Sequence, residues 1–212
     1  MAGGAFTAPV DGDAGGTWIA VRDAGVVLAL LNHQPAKRAP SVDGGTDASR
    51  PARRPIDWSA AETPPPRTSR GLLVTALAAE PGIPDAARLR AAGLGSLAPF
   101  RLFIAGPSTP PRVLTWNGVS LTTRRLDPRR GFLTSSSWNP RAVIAVRQAC
   151  FRAFARHHRQ PSRADLVAFH GRTGHSRGTP WAICMAREDA RTVSTTVVEA
   201  GPNGVSMRYR AR

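Results

Sequence analysis

The chain is poor in lysine, tyrosine, cysteine and acid: Lys37 is its only lysine, Tyr209 its only tyrosine, and 14 Asp and Glu stand against 29 Lys and Arg. Two cysteines, Cys150 and Cys184, are too few for a disulfide framework and have no metal-type spacing, so both are expected to be reduced and buried. Long hydrophobic runs are missing too. The run Val26 to Leu31 falls far short of the roughly 20 apolar residues that a membrane span needs. The first fifteen residues lack the basic and apolar regions of an export signal. Neither a membrane span nor export is therefore expected, and a cytoplasmic location is the default.

What is present is charge of one sign. A net charge of +15 ordinarily points to nucleic acid or an anionic surface. Here the surplus is nearly all arginine, scattered through a chain rich in Ala, Gly and Pro, the pattern a GC-rich coding sequence imposes on surface positions. No aromatic-rich strand, zinc spacing or helix-turn-helix pattern accompanies it, so nucleic acid is not the expected partner. A basic nucleic-acid or surface-binding module stays open as a second alternative. With 212 residues and 42% hydrophobic content, one domain spanning 1–212 is expected.

Two β-branched, apolar runs, Thr17 to Val21 and Val26 to Asn32, flank Asp23-Ala24-Gly25 and predict an antiparallel hairpin. A lone hairpin is marginal in water, so partner strands must lie downstream, or upstream of Met1 in a longer chain. Residues 35–68, rich in Pro, Gly, Ser and Arg, predict a flexible loop in which Trp58 either anchors to the body or reaches into a pocket. Ser69 caps an expected helix over LLVTALAAE, Pro84-Asp85 opens a second one, and Gly93 ends it. Residues 100–106 read as a strand, followed by a hairpin about Asn117-Gly118.

Asn139 and Pro140 open the longest expected helix, whose stripe of Val143, Val146, Cys150 and Phe154 faces a core. Arg141, Gln148, Arg152, Arg156 and Arg159 form its other face, read as solvated surface. SRADLVAFH makes a further helix, and the C-terminal part supplies about three antiparallel strands with a turn near Glu188-Asp189-Ala190. The total of roughly eight strands and three or four helices is an α+β domain.

Catalytic patterns are weak. Ser135, Ser136 and Ser137 have no nucleophile-elbow context and read as turn residues. His157 and His158 suit a helix C-terminus, and His170 and His175 lack a carboxylate partner, so no metal site is expected.

Several segments, in order, match one family: Gly15-Gly16-Thr17-Trp18 with the strand pair to Asn32, then Ser69-Arg70-Gly71, Leu133-Thr134-Ser135-Ser136, and Ile183 to Thr196. On these the chain resembles the Transport and Golgi organisation protein 2 family, or NRDE family, in its bacterial form. The resemblance implies a sandwich like that of the N-terminal-nucleophile hydrolases, two antiparallel sheets with helices on the outer faces. The family begins Met-Cys and carries an Asn-Arg-Asp-Glu motif before the Gly-Gly-Thr-Trp segment. Here Ala2 stands second, the motif is absent, and "VRDA" at 21–24 lies after that segment.

The expectation is therefore a domain without its first strands, which a longer chain would supply, and without intact nucleophile chemistry, because the first residue's thiol and amine are the reacting groups. An amide hydrolase of that type is the alternative if the true chain begins upstream with Cys. The leading function implied by the resemblance is binding or trafficking of a hydrophobic anionic small molecule such as haem, carried as a ligand, with arginines pairing to its carboxylates. Carried over residue by residue, it makes Trp18, Asn32, His33, Arg70 and Ser135 the candidate ligand-binding residues. His33 reads either as a solvent-facing loop residue or as a ligand contact and axial haem ligand.

Overall fold

A computed structural model describes residues 4–33, 68–127, 131–171, 179–186, 191–201 and 204–212. The first hairpin forms where the alternation predicts it, as β2 (Ile19–Arg22) and β3 (Val27–Asn32), in the register Ile19 to Ala29. Gly25 closes its turn at φ +78°, a left-handed conformation that a side chain resists, and donates to the Arg22 carbonyl at 2.8 Å. Its partners lie on both sides. Along its whole length β3 pairs with β4 (Phe100–Gly106), while β2 pairs with a two-residue strand, β1 (Phe6–Thr7), that the periodicity does not reveal.

Beyond β4 come β5 (Thr109–Trp116) and β6 (Leu121–Arg125), completing a six-stranded antiparallel sheet in simple sequence order. The β5–β6 turn is held by Asn117, whose Oδ1 accepts from the backbone N–H of Val119 and Ser120, both at 2.8 Å.

The sheet's alternation sorts its residues onto two faces. Leu28, Leu102, Ile104 and Leu114 point to one face and are fully buried there. Helix α1 (Arg70–Ala79) covers it with Leu73, Val74 and Leu77, and α2 (Ala86–Ala91) adds Leu89. Both start at the expected caps: Ser69 accepts from the Gly71 N–H at 3.3 Å and Asp85 from the Arg88 N–H at 2.9 Å. Two sheet arginines tie the α1–α2 turn down. Arg22, almost wholly buried, donates to the carbonyls of Ala78, at 2.9 Å, and Gly82, and Arg112 donates to that of Pro84 at 2.6 Å. Cations suit a helix C-terminus, whose last carbonyls lack partners.

The other half is helical. The stripe predicted for α3 (Pro140–His157) buries Val143 and Phe154, and Phe154 lies 4.7 Å, ring to ring, from Phe169 of α4 (Arg163–Gly171). Phe132 stacks on Phe151 at 4.7 Å, extending this aromatic cluster. Three expectations need correcting. Asn139 sits at the head of α3 with a left-handed backbone, φ +35°, in place of the extended backbone of a capping residue, and makes no side-chain capping bond. Cys150 is half-buried rather than buried; Cys184 is buried, and both are free thiols. Among the described residues the C-terminal part holds two strands, β7 (Ser194–Gly201) and β8 (Gly204–Ala211), and the run before them makes one bridge, Ala186 to Arg191.

The class is thus α+β, with strands divided six and two. The loop expected at 35–68 falls, up to residue 67, outside the described residues, as do Trp58, His175 and the turn at 188–190. No described helix is long and apolar enough to cross a membrane.

Candidate anion-binding cleft

The sheet's second face carries a different set of side chains. Register places Arg101 beside Thr115, and Val113 beside Arg124, on the side away from the α1–α2 core. Over them lie Phe132, Leu133 and Thr134, with Gln148 reaching in from α3, and the space between is a cleft of about 160 Å³. Its distinguishing groups are two guanidiniums. Arg101 donates weakly to the Thr134 carbonyl at 3.5 Å, and among the described residues no carboxylate lines the cleft.

Burial, and then the charge of Arg124, lowers the pKa of Arg101, the signature of a cation held in a site that is short of negative charge. Even with its pKa lowered, the Arg101 guanidinium stays protonated at physiological pH. An anion entering between them would relieve their repulsion and accept charge-assisted hydrogen bonds.

The wall behind the cleft is held by another arginine. Arg147, nearly fully buried on α3, donates to Thr134 Oγ1 at 3.1 Å and to the carbonyls of Ser135, at 2.8 Å, and Pro180, at 2.7 Å. One side chain thereby joins α3, the segment before it and the segment after Thr179. The serine run beside it makes a turn, in which the Ser136 hydroxyl accepts from the Trp138 N–H at 3.2 Å and donates to its carbonyl at 2.6 Å.

Four of the five residues singled out from sequence gather at one end of the sheet. The His33 N–H and Arg70 Nη1 both donate to the Pro99 carbonyl, at 3.1 and 3.0 Å. Asn32 is the exposed last residue of β3, opposite Phe100. The Trp18 carbonyl accepts from Leu30 at 2.8 Å, and its ring lies 6.3 Å from that of Tyr209. Ser135 stands apart, on the α3 side next to cleft residue Thr134. None of the five lines the cleft.

His33 is coupled to the cleft electrostatically. Burial first, and the nearby Arg101 second, lowers its pKa, so its imidazole is neutral at pH 7. The four histidines that are described form no cluster with Cys, Asp or Glu that could hold a metal among the described residues.

Beneath this end of the sheet two glycines touch. A Cβ on Gly16 would stand 2.4 Å from the Gly71 carbonyl carbon, and one on Gly71 would stand 2.9 Å from the Thr17 nitrogen. The Thr17 N–H donates to the Gly71 carbonyl at 3.2 Å across this crossing. Gly-Gly-Thr-Trp and Ser-Arg-Gly, far apart in sequence, are thus one structural unit.

Arg101 and Arg124 escape a reading of the sequence because each sits in a short strand segment with no motif around it. The one available signal is alternation: Arg101 and Phe103 interleave with the core residues Phe100, Leu102 and Ile104, which assigns Arg101 to the opposite face. No protein-family model matches the chain, and no curated protein matches it.

Proposed function

We propose that the protein binds a small molecule by an anionic group seated between Arg101 and Arg124. The observation that carries this reading is the pair of guanidiniums in one cleft with no carboxylate among the described residues that line it. The cleft's 160 Å³ is well below the roughly 300 to 1,000 Å³ that enclose a drug-sized ligand. It therefore suits a carboxylate or phosphate head, with the rest of the ligand outside. A hydrophobic dicarboxylate such as haem, carried non-covalently in the manner of the NRDE family, satisfies that description. His33, held neutral beside Arg101, is then the candidate iron ligand, because only the neutral imidazole offers a lone pair.

A hydrolase-like sandwich belongs to the same proposal. Its support is the outer helical layer, α1 and α2 packed on one face of the six-stranded sheet. A cytoplasmic location is also part of it.

The test is a Soret-band titration with haem, in competition with inorganic phosphate. A saturable shift is expected, and Arg101→Gln weakens it by about 10- to 150-fold, the worth of one hydrogen bond to a charged group. Absence of a saturable shift at micromolar haem overturns haem as ligand. If phosphate also fails to perturb the Arg101 side-chain NMR signals, the anion site itself is refuted.

A further inference from the structure

The sequence between Asp127 and Asp165 contains no acidic residue, and three of its arginines lie on one line of α3. At 100° per residue, Arg141, Arg152 and Arg156 fall within about 60° of one another, along a stripe of about 22 Å at 1.5 Å per residue. All three are exposed, and among the described residues none has a carboxylate partner, whereas Arg88, Arg163 and Arg208 each do. Trp138, 49% exposed, stands just before the helix at the head of the stripe. Its ring is braced edge-on by Trp181, at 5.6 Å and 86°.

From this juxtaposition we propose that the arginine face of α3, with Trp138, docks single-stranded nucleic acid along a line that passes Gln148 at the edge of the Arg101/Arg124 cleft. A row of unneutralised guanidiniums matches a phosphate backbone, and an exposed, immobilised indole is a platform on which a base stacks. Arginine adds its own stacking on base planes. An anionic bilayer is the less fitting partner. Helices that lie in membranes insert an apolar face, and the apolar face of α3 is turned inward, onto Phe132 and Phe169.

The experiment is fluorescence anisotropy of the full chain with labelled oligo(dT) of about 20 nucleotides, longer than the roughly 4 to 16 that a single module covers. With three phosphates engaged, log K is expected to fall against log salt with a slope of about −2 between about 50 and 200 mM. The variant Arg141→Gln/Arg152→Gln/Arg156→Gln, which keeps good helix formers, abolishes that slope while keeping the urea midpoint of the parent chain. Trp138→Leu weakens binding by about 5- to 150-fold at unchanged slope. Binding by the triple variant as tight as by the parent chain overturns the proposal, as does absence of binding by the parent at low salt. Co-sedimentation with phosphatidylserine vesicles without oligo(dT) binding would assign the face to lipid instead.

Discussion

Substituting Gly16 by alanine probes the contact that joins the two sequence motifs. The added methyl would lie 2.4 Å from the Gly71 carbonyl carbon, 2.6 Å from the Leu72 nitrogen and 2.8 Å from the Gly71 Cα, all backbone atoms of the first turn of α1. Backbone cannot swing aside as a flexible side chain would. Either the segment entering β2 or the start of α1 must retreat, and the Thr17 to Gly71 hydrogen bond at 3.2 Å goes with it. Overpacking costs about 1 to 3 kcal/mol and the hydrogen bond about 1. Lower entropy of the unfolded chain returns about 0.4 to 1 kcal/mol. The net expectation is a loss of about 1 to 3.5 kcal/mol, read as a lower urea midpoint at unchanged slope. Gly12→Ala is the control, since its Cβ would meet nothing within 4 Å. A Gly16→Ala chain as stable as the Gly12→Ala chain would refute the crossing.

Arg147→Met removes the donor to Thr134, Ser135 and Pro180 and strands buried oxygens, so it should cost about 2 to 4 kcal/mol in chemical denaturation. Arg22→Met should be milder, about 1 to 3 kcal/mol, because it strands two acceptors, the carbonyls of Ala78 and Gly82, where Arg147→Met strands three; equal losses in the two variants would contradict this ordering. The folded-state pKa of His33 lies below its unfolded value of about 6.5. The unfolded chain therefore takes up the proton first, and stability falls as the pH drops below about 6.5 toward the folded pKa. Proton NMR of the His33 ring should show titration below that of an exposed histidine, and Arg101→Gln should move it upward; no movement would separate His33 from the cleft.

The hairpins about Gly25 and Asn117 and the starts of α1 and α2 at Ser69 and Asp85 were legible because each is a preference expressed within a few residues. The same local reading erred at two places. Asn139 has the right residue type for a cap, yet its backbone is left-handed in place of extended and its side chain makes no capping bond. Strand β1 has too few residues to show a period, and it exists only because β2 offers an edge.

The candidate site lies at the other extreme. Alternation along β4 already separates Arg101 from Leu102 and Ile104. That Arg124 joins Arg101 in one cleft depends on the registers β4 to β5 and β5 to β6, and on Thr134 being drawn over them by Arg147. The arginines of α3 show the same division. Their spacing on a helical line is written in the sequence, but only burial of Val143 and Phe154 decides that this line faces outward. Local backbone energetics determined the elements of this protein. Which charges end up as neighbours was decided by the burial of the apolar faces behind them, a property of the whole chain.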